Sequence, residues 1–117
     1  MLNLLKKLNN NFFNSINGIK EALKEHSFIL EIYFGFFIFV YLFSYNIAIN
    51  FKLLIIFSYV VLLITEILNT SIEKICNKIT KKKDNEIKII KDLASAAVFI
   101  IFSFLISILL ITIFQLF

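Results

Sequence analysis

From Leu93 to Phe117 the chain carries no charged side chain. As a helix rising about 1.5 Å per residue, that run is long enough to cross a hydrocarbon core of about 30 Å. Two more runs have the same character. Phe28 to Phe51 is rich in Phe and Tyr and is broken only by Glu31 near its start and by Ser44, Asn46 and Asn50 toward its end. Leu53 to Ile72 is apolar until Glu66, Asn69, Thr70 and Ser71. A chain of 117 residues with three such runs has no length left for a separate domain. It is 60% hydrophobic, with no Pro, two Gly and fifteen Phe, which is too apolar for a soluble domain of this size.

The predicted fold is therefore an all-α membrane protein forming one unit over residues 1–117. An amphipathic interfacial helix over 1–27 precedes three transmembrane helices over 28–51, 53–72 and 93–117, with a cytoplasmic segment over 74–92. The first helix follows from Leu4, Leu5, Leu8, Phe12, Ile16, Ile19 and Leu23, which recur every three or four positions among Lys6, Lys7, Lys20, Lys24 and several Asn. A signal peptide would need a continuous apolar stretch there instead. The connection near Asn46 to Lys52 must be short, and Lys81 to Asn85 reads as a loop.

All positive charge comes from lysine, and every lysine except Lys52 lies before the first span or between the second and third. Lysine asymmetry then puts both rich segments in the cytoplasm and the carboxyl terminus on the far side of the membrane. Clustered lysines suit an anionic surface or phosphate, and the aromatic and basic interleaving of nucleic-acid binding is absent. Cys76 stands alone, so neither an internal disulfide nor cysteine metal ligation is available.

Polar side chains within the spans carry the chemical information. A carboxylate at the centre of a transmembrane helix costs about 2.5–3.5 kcal/mol, so Glu66 is a candidate functional residue, with snorkelling or a lysine partner as the structural alternative. At about 100° per residue Glu66, Asn69, Thr70, Glu73 and Asn77 share one helical face, with Glu66 and Glu73 roughly 10 Å apart along it. The deep carboxylate can take a proton from a hydroxyl at lipid level, and the shallow one can bind a divalent cation carried by a phosphate. Lys91 and Ser95 share a face at the start of the third span beside Asp92, placed to neutralise phosphate oxygens, to cap the helix or to orient the lysine. Ala94, Ser95, Ala96 and Ala97 permit close helix approach. Glu25 can supply another oxygen ligand, and Glu31 a further polar contact to substrate or to Asn69.

Glu66-Ile-Leu-Asn-Thr-Ser-Ile-Glu73 and Lys91-Asp-Leu-Ala-Ser-Ala-Ala-Val98, with the length between them, resemble the two signature motifs of the small bacterial integral-membrane diacylglycerol kinase and undecaprenol kinase family. The resemblance covers nearly the whole chain. It implies a homotrimer with active sites shared between subunits in the bacterial inner membrane, transferring the γ-phosphate of ATP to a lipid alcohol. By position, Glu66 resembles the general base and Asn69 its orienting companion. Glu25 and Glu73 resemble the Mg²⁺ ligands, Lys91 and Asp92 the nucleotide pair, and Ser95 a substrate contact. Ser15 and either Lys6 or Lys7 resemble amino-terminal positions near lipid and nucleotide.

Asn77 stands where an Asp is usual, the Lys81 to Glu86 loop lacks a His-containing stretch, and the chain is one residue shorter between Gly18 and Glu25. Diacylglycerol, giving phosphatidic acid, is the expected acceptor. Undecaprenol is the alternative, because Phe28-Ile29-Leu30-Glu31 lacks a polar pair found in some diacylglycerol-type relatives. A non-catalytic membrane adaptor would explain Glu66 and the small-residue patch, but not the gathering of Glu25, Glu73, Lys91 and Asp92 at one interface.

Overall fold

A computed structural model describes all residues 1–117. It is entirely helical: α1 (Leu2–Ala22), α2 (His26–Ser44), α3 (Ile49–Ile79) and α4 (Asn85–Leu116). Helices are the solution that lipid imposes, because every backbone group in a hydrocarbon layer must find its partner within the segment. Three of them, α2 to α4, are long and apolar enough to cross a membrane, and the chain is a multi-pass membrane protein. Phe36, Phe37, Phe43, Phe99 and Phe114 stand exposed on their outer faces, where lipid tails would meet them.

The boundaries differ from the sequence expectation in an instructive way. The first span stops at Ser44, not at Phe51, and the connection is Tyr45–Ala48. Tyr45 turns extended, and Ile47 folds back into the core, where it is buried. An apolar residue used as an end plug looks the same in sequence as one more turn of helix. The first helix likewise ends at Ala22, and the turn Leu23–Glu25 swings the chain into α2.

Most of the segment over 74–92 is also helical. α3 runs to Ile79 and α4 begins at Asn85, leaving Thr80–Asp84 as the loop. Asp84 is the cap of α4, its Oδ1 accepting from the Ile87 amide at 3.0 Å. At 31 and 32 residues, α3 and α4 are each about 46–48 Å long and overshoot the hydrocarbon by more than 10 Å. The overshoot forms a two-helix stem that carries the lysines into water.

α3 packs chiefly against α4, with α2 laid along α3. The end of α1 lies beside Ile67, Thr70, Ser71 and Lys74 of α3, and extents of 50 × 48 × 21 Å fit a helix that projects sideways from the bundle instead of running along it. α1 buries only Ala22 and leaves Leu4, Leu5, Leu8 and Phe12 exposed, as an interfacial helix should.

The apolar core lies in one half of the bundle. Ile38, Leu42, Ile47, Ile55, Tyr59, Leu62, Leu105, Ile108 and Leu109 form it, all in the half remote from the α3–α4 loop. Tyr59 ties it to α2. The ring lies against Gly35, so closely that a β-carbon there would overlap its hydroxyl, and that hydroxyl donates to the Glu31 carbonyl at 2.9 Å. Nearer the loop the buried residues are mixed, Phe28, Cys76 and Ala94 with the polar Glu66 and Asn69.

Candidate active site

Glu66 and Asn69 are almost fully buried, at 5% and 8% exposure, in the half of the bundle that the apolar core leaves free. The helical face expected from spacing is thus a graded stripe. It begins in the protein interior, passes the exposed Glu73, and ends in water at Asn77. Ser27, in the first turn of α2, donates from Oγ to Glu66 Oε1 at 2.6 Å. Glu31, one turn further along α2, is half-buried and close enough to Glu66 for their charges to interact. The expected bond between Glu31 and Asn69 is not formed. Glu31 Oε2 and Asn69 Oδ1 are both buried and unpaired, two acceptors within a region where such groups are normally satisfied.

The water-side residues form a second cluster. Lys91 Nζ donates to Asn77 Oδ1 at 2.6 Å, bridging the stem across the loop. Asp92 pairs with Lys88 at 2.8 Å, one turn back in α4. It therefore neither caps the helix nor orients Lys91: it is the eighth residue of α4, whose cap is Asp84. Asn77, noted in the sequence as part of the Glu66 face and as a missing charge, is what holds Lys91. Lys81, Lys82, Lys83, Lys88 and Lys91 line a cavity of about 510 Å³ between the loop and the stem, large enough for a polyphosphate chain and of the right sign.

Asn77→Ala should therefore raise the KM for nucleotide about threefold with little change in kcat, because Lys91 keeps its charge and loses its anchor. Steady-state kinetics at varied ATP would check this, and an unchanged KM would show that Asn77 does not position Lys91.

Glu25 is the extended residue before α2, and its carboxylate caps nothing there. It lies 3.4 Å from Lys74 Nζ, an exposed pairing of small energetic weight. The Glu73 side chain makes no hydrogen bond or ion pair within the chain. Two oxygen-donor side chains without strong competing partners are the donor set that Mg²⁺ accepts when phosphate oxygens complete its shell.

The remaining candidates stand apart. Ser15 donates to the Asn11 carbonyl in its own helix at 3.0 Å, Lys7 is exposed on α1, and the exposed Ser95 side chain bonds to nothing within the chain. Sequence reasoning missed Ser27, Asn77 as an anchor, and the Gly35–Tyr59 contact. The triple lysine was visible as a loop but not as a cavity wall.

A family model described as prokaryotic diacylglycerol kinase matches residues 13–114 of the chain. No curated protein matches it.

Proposed function

Because the chain belongs to the prokaryotic diacylglycerol kinase family and is a lipid kinase of the diacylglycerol or undecaprenol type, we propose that it transfers the γ-phosphate of ATP to diacylglycerol, giving phosphatidic acid. The adaptor alternative lapses with that membership. The observation that carries the mechanism is a buried carboxylate already receiving a short hydrogen bond from an alcohol, the Ser27–Glu66 contact. Glu66 is the general base. It takes the proton of the acceptor hydroxyl as that oxygen attacks the γ-phosphorus, the bond to the bridging β–γ oxygen breaks, and ADP leaves.

Asn69 lies one turn along from Glu66 and would orient the acceptor or the base. Lys91 meets phosphate oxygens, with the Lys81–Lys83 wall drawing the polyphosphate into the cavity. Asp92 acts at this end through Lys88. Glu25 and Glu73 would hold Mg²⁺, which supplies charge neutralisation at the transferred phosphate. Ser95, Glu31 and Ser15 are proposed contacts to lipid, and Lys7 to nucleotide. With Glu73, Asp92 and Ser95 all exposed on a single chain, and Ala96 and Ala97 exposed beside them, a homotrimer with sites completed between subunits is the fitting assembly.

The proposed setting is the bacterial inner membrane. Lysine placement argues for a cytoplasmic amino terminus and loop. The carboxyl terminus then lies opposite, where Phe117 meets Tyr45 edge-on at 5.7 Å.

The test is phosphate transfer from labelled ATP with Mg²⁺ in mixed micelles, offering diacylglycerol and undecaprenol separately. Labelled phosphatidic acid is the expected product. Product from undecaprenol alone would move the acceptor to the polyprenol branch, and product from neither would overturn the assignment.

A further inference from the structure

Ser27 makes a hydrogen bond that helical geometry does not ask of it. Ser15, Ser58, Thr65, Ser71 and Ser107 each donate to the carbonyl four residues back in their own helix. Ser27 lies in the first turn of α2, so the carbonyl four residues back, that of Leu23, belongs to the preceding turn. Its hydroxyl instead crosses to α3 and meets Glu66 Oε1 at 2.6 Å, within the short range of an alcohol donating to a carboxylate. It is the only hydrogen bond that the Glu66 side chain makes within the chain. One end of this contact is buried and the other exposed, since Ser27 faces outward.

A serine side chain is a primary alcohol, and so are both candidate acceptors. Before its proton can move, the acceptor must donate to this same carboxylate at this same separation. We propose that Ser27 is a positioning residue that holds, on Glu66, the place of the acceptor alcohol, and that the lipid must displace it to react. The inference rests on Glu66 being the base. Two consequences follow. In the resting protein Ser27 satisfies and orients a carboxylate that burial would otherwise leave unpaired. On lipid binding that bond is exchanged for an equivalent one, so part of the acceptor's binding energy is cancelled. Ser27 thus weakens binding of the acceptor equally in the ground state and in the transition state, so its effect falls on KM with kcat unchanged.

The experiment compares Ser27→Ala, Ser27→Thr and Ser27→Cys with the parent in mixed micelles at saturating ATP and Mg²⁺. Diacylglycerol and undecaprenol are each varied in mole fraction, and Glu66→Gln is run alongside. Ser27→Ala should lower the KM for the acceptor about three- to tenfold, with kcat within about twofold and the KM for ATP unchanged. Ser27→Thr should restore the parental KM by restoring the hydroxyl. Ser27→Cys, a weaker donor of similar size, should fall between the two and guards against an effect of lost volume. Dioctanoylglycerol without nucleotide should raise the thermal midpoint of Ser27→Ala more than that of the parent, a readout independent of turnover.

An acceptor KM that is unchanged or raised in Ser27→Ala, while Glu66→Gln is inactive, overturns the role of Ser27 and leaves the base standing. Full turnover by Glu66→Gln overturns both.

Discussion

Glu66→Gln is expected to reduce kcat by about two to four orders of magnitude, the usual reach of general base catalysis, while leaving membrane insertion and nucleotide binding intact. The substitution is close to isosteric, and the amide oxygen can still accept from Ser27 in place of Oε1. The helix, the buried volume and the contact to α2 therefore survive, and only the capacity to take a proton is lost. The measurement is turnover at saturating acceptor and nucleotide, with ATP binding to the same protein as control. Residual activity within about tenfold of the parent would rule out Glu66 as the base. Equal loss of ATP binding would place the defect in folding or in the nucleotide cavity.

Gly35→Ala is expected to destabilise the bundle by about 1–3 kcal/mol, the range for forcing an extra carbon into a packed site. On propensity alone the change would help, since Ala is favoured over Gly in a helix by about 1 kcal/mol. Here the added carbon meets the Tyr59 hydroxyl and ring. Tyr59 can make room only by leaving the Glu31 carbonyl and pushing into the core residues it packs with. Thermal unfolding in detergent should show the loss directly. A double-mutant cycle makes it specific: in a Tyr59→Ala background the cost of Gly35→Ala should vanish, because the obstructing ring is gone. A cost that persists there would mean that Gly35 is needed for something other than Tyr59.

What could be read from the sequence was whatever repeats at the helical period. Glu66, Asn69 and Glu73 fall on one stripe because their spacing is local, and their unusual setting follows from the apolar residues around them. The three spans were visible as apolar runs long enough to cross a bilayer. What remained hidden depends on how helices meet. Ser27 and Glu66 are 39 residues apart, Tyr59 and the Glu31 carbonyl 28, and Lys91 and Asn77 14. No periodicity within one helix encodes those pairs. Asp92 shows the converse error: beside Lys91 in sequence it appeared to be its partner, but neighbours in a helix point about 100° apart, and the residue one turn back wins. The end of the first span was misplaced because Ile47 is apolar for a reason other than helix continuation.

The one-sided core has a bearing on how the protein moves. Its largest apolar cluster holds the helices at one end, whereas at the other the buried Phe28, Cys76 and Ala94 stand beside polar contacts that water or substrate can replace one at a time. Packed in this way, the bundle has its natural pivot at the core end, and separation of the helices near Glu66 is the motion it resists least. A hydrophobic substrate arriving sideways from the bilayer can spread the helices near Glu66 while the pivot stays closed. Local opening near Glu66 and global unfolding are then separate events with separate free energies, so a lipid can enter and leave there without loosening the core.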